Sequence, residues 1–154
     1  MMKRHFAILF AVGLLAVGSF SCAAQDGGYW RAASSAAVSI TGDIAISNTK
    51  VMINFSSFPL VQVRKLKPVE VSSVFDADVN AGIEGTLYRV NIPAAKRFLH
   101  RNTLCENEDT KWMATYVSGR SLQVAFFSGD QQPVFQFGVI QNSPALCGTY
   151  TYGR

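Results

Sequence analysis

Histidine is scarce in this sequence, and the motifs that commonly accompany catalysis are missing. Of two histidines, His5 lies in an apolar leader and His100 in the remainder. There is no Gly-x-Ser-x-Gly elbow, no His-Glu-x-x-His motif and no phosphate-binding glycine loop. A histidine-assisted nucleophile would depend on His100, and no spacing among the ten acidic residues singles out a catalytic pair. The sequence predicts a protein that is not an enzyme and uses no cofactor.

Charged residues are also few, at 16% of the chain, whereas aromatic residues make up 12%. This balance argues against disorder, and the length suits one domain with its own core. Removing Lys3 and Arg4 with the leader lowers the formal net charge from +4 to +2. Nucleic-acid-binding proteins present clustered, strongly basic faces. The sequence therefore predicts a folded domain that binds no nucleic acid.

Long apolar runs are absent except at the amino terminus. Residues 1–5 are short and basic, residues 6–17 are apolar apart from one glycine, and residues 18–24 are mostly small. This is the layout of a secretory signal peptide. The run is shorter than the roughly 20 residues that a membrane-spanning helix needs. We predict a signal peptide over 1–24, no transmembrane span after its removal, and a periplasmic or secreted location.

The end of this leader permits two kinds of processing. Cys22 and Ala24 form a small-x-small pair, which favours cleavage after Ala24 and leaves Gln25 as the first residue. The alternative is a lipoprotein in which Cys22 is lipidated and anchors the chain to a membrane. Ser19 stands where lipoproteins usually carry a leucine, and Phe20 is bulky. These two residues favour simple cleavage.

Cys105 and Cys147 remain after the leader is removed. In an oxidising compartment, two cysteines are most simply explained by a disulfide. The chain-entropy model assigns such a long loop about 4 kcal/mol of stabilisation. A zinc site is the alternative, but zinc takes about four ligands, and His100 is the one histidine left. The sequence favours a Cys105–Cys147 disulfide.

Short alternating apolar segments separated by turn residues dominate the chain beyond residue 35. Such spacing predicts an all-β domain over 36–154, either an antiparallel β-barrel or a β-sandwich of about eight strands. Residues 25–35, rich in Gly, Ser and Ala, predict a flexible lead-in. The predicted strands cover 38–40 and 44–46 around a Gly42-Asp43 turn, then 51–55, 60–63, 69–75, 88–92, 112–116, 122–126, 135–139 and 150–152.

One short helix is predicted over 93–100, because Pro93 suits a first helical position and Asn102 suits a helix end. The alternating apolar positions predict the core. They are Val38, Ile40, Ile44, Ile53, Phe55, Tyr88, Val90, Trp112, Leu122, Val124, Phe126, Phe135, Phe137 and Tyr150.

On this helix, Lys96, Arg97, His100 and Arg101 would share one face. They are the densest positive charge beyond the leader, and they are a candidate site for an anionic partner, such as a phosphorylated headgroup or an acidic protein surface. Three acidic residues follow within 106–109 and would neutralise part of this charge. A solvated outer face of an amphipathic helix is the favoured alternative.

Asp76, Asp78 and Asn80 carry oxygen atoms at alternate positions, as calcium-binding loops do. The match is partial, because an EF-hand loop has glycine where Ala81 stands and glutamate where Leu87 stands. Asp, Asn and Gly are also ordinary turn residues. A calcium site is therefore one hypothesis, and a solvated turn is the favoured one.

Gly28-Tyr29-Trp30 resembles the Gly-x-Trp opening of lipocalins and related calycin barrels. In those proteins the tryptophan closes the base of the barrel, often against an arginine near the other end of the chain. The resemblance implies that Arg154 or Arg120 takes that part here. It also implies an eight-stranded barrel that carries a small apolar ligand.

Four sequence blocks span most of the chain beyond the leader. As a set they are similar to small, uncharacterised exported proteins of Gram-negative bacteria. This resemblance implies a periplasmic address and a structural role for the two late cysteines, and it implies no activity. The blocks are Ile40–Ile44, Asn102–Cys105, Ala125–Gly129 and Leu146–Tyr150.

The leading functional hypothesis is a non-catalytic binding module whose partner is another protein, including an enzyme that it inhibits, or an envelope component. A rigid disulfide-tied scaffold suits the presentation of loops such as 118–120 and 129–133. A carrier of a small apolar ligand and an enzyme of unrecognised type are the alternatives. A Trp- and Phe-lined cavity would favour the carrier, a cleft with paired carboxylates the enzyme, and a filled barrel with exposed apolar loop tips the binding module.

Overall fold

In the computed structural model, which describes residues 25–154, eight antiparallel strands follow one another in chain order around a closed barrel. Of the two architectures predicted, an antiparallel β-barrel or a β-sandwich, the eight-stranded barrel is confirmed, and it carries one short helix. The predicted leader over 1–24 and the candidate lipidation site Cys22 lie outside the described residues. The elements are β1 (Gly28–Ala32), β2 (Ile44–Ile46), β3 (Lys50–Ile53), β4 (Ser56–Leu66), α1 (Pro68–Phe75), β5 (Gly85–Ile92), β6 (Thr110–Ser118), β7 (Ser121–Ser128) and β8 (Leu146–Gly153).

Period-two alternation along the strands separates an inner side-chain set from an outer one. On β7, Val124 and Phe126 belong to the cluster inside the barrel, whereas Ala125 and Phe127 belong to a second cluster on the outer wall. The inner cluster includes large side chains with no exposed surface, among them Trp30, Ile53, Met113, Phe126 and Tyr152. An eight-stranded barrel is wide enough either to be filled by its side chains or to hold one small ligand. Here these side chains fill the middle of the barrel.

The helix α1 packs on the outer wall, and its start explains why this segment is helical. Pro68 occupies the first turn, where its missing N–H has no partner to lose. Glu70 accepts a hydrogen bond from the Lys67 backbone N–H at 2.9 Å, and Arg64 donates to both carboxylate oxygens at 2.8 and 2.9 Å. These bonds hold the pKa of Glu70 below its usual range, Arg64 contributing most. The predicted strand over 69–75 is therefore wrong.

The predicted helix over 93–100 is also wrong, because this segment folds as two tight turns. The Lys96 N–H donates to the Pro93 carbonyl, and only Leu99–Arg101 forms a single helical turn. Within that turn His100 has φ 53°, outside the right-handed helical region. The backbone at Phe98 is extended and its side chain is buried. A continuous helix would require a helical backbone at this residue.

Two further predicted strands are absent from the described residues. Residues 38–40 lie in a single helical turn over Ala37–Thr41, so no hairpin forms around the Gly42-Asp43 pair. Residues 135–139 lie in the long connection between β7 and β8. In contrast, β1 lies within residues 25–35, for which the sequence predicted a flexible lead-in.

Four of the predicted core residues are not buried. Val38, Phe55 and Phe137 have exposed fractions of 56%, 96% and 73%, and Ile40 is only partly buried. The other ten are buried. The four misplaced residues all lie in connections, where the alternation of the neighbouring strand no longer applies.

The strand order divides the connections between two ends of the barrel. We call one the disulfide end; it carries the connections 33–43, 54–55, 93–109 and 129–145. We call the other the Asp26 end; it carries residues 25–27 and the connections 47–49, 67–84 and 119–120. Within residues 25–154, no helix is long and apolar enough to cross a membrane.

Candidate functional site

A disulfide joins Cys105 to Cys147 with a Cα–Cα distance of 4.9 Å, which confirms the predicted bond. It ties the β5–β6 connection to the start of β8. The Thr110 hydroxyl donates to the Cys105 sulfur at 3.2 Å. The long connection 93–109 is thus fixed to the barrel wall, so that it presents one defined surface.

The first half of this connection closes the disulfide end of the barrel. Phe98 is buried, with its ring centroid 6.1 Å from that of Phe58 in an edge-to-face arrangement. The Asn102 side chain donates to the Ser39 carbonyl at 3.3 Å, which links it to the β1–β2 connection. This packing leaves the polar residues of the connection on the outside.

Lys96, Arg97, His100 and Arg101 lie on this closing segment, although not on a helical face. Arg97, His100 and Arg101 are exposed. Arg97 donates to the Ala94 carbonyl at 2.9 Å, and the Lys96 ammonium lies 5.9 Å from the centroid of the Phe98 ring. None of the four forms a salt bridge with a described residue. All four lie on the segment that closes the disulfide end, and we call them the basic cluster.

Acidic groups lie elsewhere on the same end. Glu106 and Glu108 border a separate surface recess of about 360 Å³ beside the disulfide. Asp109 accepts from the Ala94 backbone N–H and from Lys111, and both bonds lower its pKa. Asp43 accepts from the Tyr29 hydroxyl and from the Ala32 N–H, and the first of these is the main reason that its pKa is lowered. Asp43 and Asp109 are therefore engaged within the protein.

The hairpin turn between β3 and β4 presents the most exposed large apolar side chain among the described residues. Its two central residues, Asn54 and Phe55, have φ values of 45° and 64°. Two-residue hairpins favour positive φ at both positions, and Asn or Gly supplies it at little cost. A bulky residue such as Phe is a true outlier there. Phe55 is nevertheless 96% exposed, so no packing contact compensates for its strained backbone.

Strained backbone is concentrated at the disulfide end. Of six non-glycine residues with positive φ in the described part of the chain, five lie in its connections: Asn54, Phe55, His100, Arg101 and Glu106. Residues held in sparsely populated backbone regions cluster at functional sites. Because this end also carries the basic cluster and Phe55, we take it as the candidate functional site.

The long β7–β8 connection lies partly on the outer wall. Phe135 and Ile140 are buried in the outer cluster, whereas Val134, Phe137 and Val139 are exposed. This connection begins with residues 129–133, one of the two loops predicted to present a binding surface. The other favoured loop, 118–120, forms the tight β6–β7 turn at the opposite end.

The predicted calcium ligands lie on an exposed turn after α1. Asp76 ends the helix with φ 50°, and the Asp78 carboxylate accepts from the Asn80 backbone N–H at 2.9 Å. Between residues 25 and 154, no three His, Cys, Asp or Glu side chains are placed to hold a metal ion. The turn is accounted for by ordinary side-chain capping, and calcium binding here stays a prediction.

Sequence analysis did not single out Phe55 as a surface residue. The available signal was the Asn54-Phe55 pair between two alternating runs, since Asn is a preferred residue of hairpin turns with positive φ. It was overlooked because Val51, Ile53 and Phe55 continue one parity.

Comparison with known proteins identifies no relative of this chain. No protein-family model, curated protein sequence or solved structure matches the chain.

Proposed function

We propose that this chain is an exported, non-catalytic binding module that docks a protein partner at the disulfide end of the barrel. The observation that carries this proposal is Phe55, a fully presented aromatic side chain on a strained hairpin turn. Aromatic side chains dominate the energetic hot spots of protein interfaces. Docking into an apolar pocket of the partner would bury this ring, and that burial would outweigh the cost of holding it in an unfavourable backbone.

The basic cluster supports a partner whose pocket has an acidic rim. Lys96, Arg97, His100 and Arg101 lie on the connection that closes the same end of the barrel. Opposite charges around an apolar anchor speed encounter and fix the orientation of the two proteins. An acidic cleft, including the cleft of an enzyme that this protein inhibits, has the matching chemistry.

The packed interior weighs against the alternative of a carrier of a small apolar ligand. A carrier of an apolar ligand needs an apolar cavity inside the barrel. Large side chains such as Trp30, Met113 and Phe126 fill the middle of the barrel, and the recess of about 680 Å³ at its Asp26 end is lined by the buried carboxyl group of Asp26. An apolar ligand would have to displace these side chains. A binding module uses the outside of the barrel and needs no such rearrangement.

A non-catalytic role is supported by the state of the residues that would act as nucleophile or base. Cys105 and Cys147 are bonded to each other, so neither sulfur is a free nucleophile. His100 is exposed on the closing segment. A catalytic histidine is usually held in place by packing and by a fixed hydrogen-bond partner, and no side-chain hydrogen bond of His100 to a described residue is present.

Export to the periplasm is supported by the leader pattern and by the disulfide, because structural disulfides persist in oxidising compartments. Mass spectrometry of the protein recovered from cell fractions tests this directly. We expect a periplasmic product that begins at Gln25. A lipid-modified product that begins at Cys22 would place the protein on a membrane instead.

The docking proposal is tested by photo-crosslinking from position 55. A benzoyl-phenylalanine at this position retains the aromatic anchor and captures a bound partner on irradiation. We expect one crosslinked protein from the cell envelope of the source organism, and we expect excess unlabelled wild-type protein to compete for it. Unlabelled Phe55→Gly protein should compete poorly. Unlabelled Val61→Ala protein should compete normally, because Val61 is also exposed but lies on the β4 wall.

Two outcomes would overturn this proposal. Equal competition by the Phe55→Gly and wild-type proteins would mean that the ring is not an anchor. Phe55-dependent binding to vesicles of anionic phospholipid, with no protein crosslink, would identify a membrane surface as the partner.

A further inference from the structure

A recess of about 680 Å³, lined by both polar and apolar groups, opens at the Asp26 end of the barrel, opposite the proposed docking surface. Gln62, Lys65, Thr86 and Thr115 line its wall from three neighbouring strands, β4, β5 and β6. In the register of these strands, Lys65 pairs with Thr86, and Thr86 pairs with Thr115. Three consecutive strands therefore form one wall of the recess, and residues 25–26, 82–84 and 119 complete its lining.

Asp26 lines the recess and is 2% exposed. One carboxylate oxygen, Oδ2, accepts hydrogen bonds from the Tyr88 hydroxyl at 2.7 Å and the Thr115 hydroxyl at 2.5 Å. Burial, and secondarily the charge of Asp26, raise the pKa of Tyr88, so this hydroxyl keeps its proton and donates at neutral pH. Both donors arise from strands far away in sequence.

The other carboxylate oxygen of Asp26, Oδ1, is buried and accepts no hydrogen bond from the described residues. Asp26 also forms no salt bridge with any of them. A buried polar atom without a hydrogen-bond partner is costly. The protein therefore retains a strong, unused acceptor beside an open recess.

The charges around the recess show which ligand chemistry would use this acceptor. Among the described lining residues, Asp26 and Glu84 are acidic and Lys65 is basic. The Lys65 ammonium donates to the Thr86 hydroxyl at 3.1 Å and leaves Asp26 without a counter-ion. The lining thus has an excess of negative charge, and its hydroxyl and amide groups lie beside apolar residues such as Ile83 and Val117. The volume of the recess falls in the range of small-molecule sites.

We propose that this recess binds a small polar ligand through a protonated amine, with Asp26 as the counter-ion. An ammonium group brings several N–H donors and a positive charge, and so supplies both things that Asp26 lacks. The Gln62, Thr86 and Thr115 side chains would bind the remaining polar groups of the ligand. Lys65 competes with the ligand because it carries the same charge into the same recess. This site is independent of the Phe55 surface.

The test uses protein purified after export from cells that express the full chain. Ethanolamine and glucosamine are titrated by calorimetry, each beside its N-acetyl derivative, which keeps the hydroxyl groups but carries no positive charge. We expect both amines to bind and to raise the melting temperature, as a ligand specific to the folded state must. The two acetylated compounds should do neither.

Two variants separate a ligand site from a purely structural carboxylate. Asp26→Asn should weaken amine binding about tenfold or more, since a hydrogen bond to a charged group is worth about 1.5–3 kcal/mol. Lys65→Gln should tighten binding several-fold, because it removes the competing cation. Asp130→Asn is the matched control, since Asp130 is exposed at the other end of the barrel, and it should change nothing.

The Lys65→Gln arm keeps the proposal testable if Asp26→Asn does not fold. Absence of amine binding in both the wild-type and Lys65→Gln proteins would overturn the proposal. Equal binding of the amines and their acetylated derivatives would also overturn it, because the recess would then recognise hydroxyl groups and not charge.

Discussion

The guanidinium group of Arg154 lies over the indole ring of Trp30, with its Cζ atom 4.1 Å from the ring centroid. Trp30 has no exposed surface, and its indole N–H donates to the Asp26 carbonyl at 2.8 Å. Arg154 also donates to the Gly27 carbonyl at 3.1 Å, and its own carbonyl accepts from Arg120. The Gly-x-Trp resemblance implied that Arg154 or Arg120 packs against the tryptophan. Arg154 covers the Trp30 ring, and Arg120 donates a hydrogen bond to the Arg154 carbonyl.

Replacing Arg154 by alanine should lower the free energy of unfolding by about 1 kcal/mol, the usual size of a partly exposed cation–π contact. It should also make the indole of Trp30 more accessible, which acrylamide quenching of tryptophan fluorescence detects. Arg154→Lys should recover only part of the loss, since an ammonium cannot stack as a planar group. Lys50→Ala, on the exposed side of β3, is the control. Unchanged stability and quenching in Arg154→Ala would contradict this role.

The strand pattern was predictable because successive side chains of a strand alternate between the inside and the outside of the barrel, and apolar residues recur at every second position. The hairpin of β6 and β7, with its turn at residues 119–120, follows directly from that alternation. The helix was misplaced because the segment 69–75 is short enough to fit both the two-residue period of a strand and the 3.6-residue period of a helix. Val69 and Val71 alternate like a strand, yet Val71 and Phe75 also lie one helical turn apart and together face the wall. The deciding signal was Pro68 followed closely by Glu70.

The Asp26 recess was not predictable from local sequence. Tyr88 and Thr115, which bind the Asp26 carboxylate, lie 62 and 89 residues away. Only closure of the barrel brings them together, and no local sequence pattern marks Asp26 as buried. Local patterns predict which face of a strand is apolar, whereas a polar site inside a barrel depends on register and closure.

Replacing Phe55 by glycine should stabilise the protein. A left-handed conformation costs an ordinary residue about 1–2 kcal/mol, and the exposed ring has no contacts to lose. Glycine loses more backbone entropy on folding, about 0.5–1 kcal/mol, so the net gain should be about 0.5–1 kcal/mol in urea unfolding. Ser57→Gly, on the adjoining strand, should destabilise instead. Loss of stability in Phe55→Gly would show that the ring has a structural role.

Removing the disulfide should cost more than any surface substitution. The bond joins residues 42 positions apart, and the chain-entropy model assigns a loop of that length about 4 kcal/mol. We therefore expect reduction, or the double substitution Cys105→Ser and Cys147→Ser, to lower the melting temperature by about 10 °C or more. The double variant should be insensitive to reductant. A wild-type protein that melts at the same temperature with and without reductant would contradict the assignment of the bond as a stabilising crosslink.

Alkaline pH should destabilise the fold through its buried tyrosines. Burial is the main reason that the pKa values of Tyr88, Tyr150 and Tyr152 are raised, whereas an unfolded tyrosine has a pKa of about 10. Their contribution to stability is therefore complete below about pH 10 and is lost as pH rises above that value toward the folded pKa. The urea midpoint, measured over this range, should be flat and then fall.

The share of a single tyrosine in this pH dependence can be measured. Above about pH 10, each buried tyrosine that stays protonated contributes a slope of about 1.4 kcal/mol per pH unit. Tyr152→Phe should reduce the total slope by that amount, although it also loses the 2.7 Å hydrogen bond between Tyr152 and Thr41 at all pH values. Thr41→Val removes the same hydrogen bond but keeps the phenol, so it should lower stability at neutral pH and retain the alkaline slope. Equal slopes in Tyr152→Phe and the wild type would mean that this phenol ionises within the folded protein.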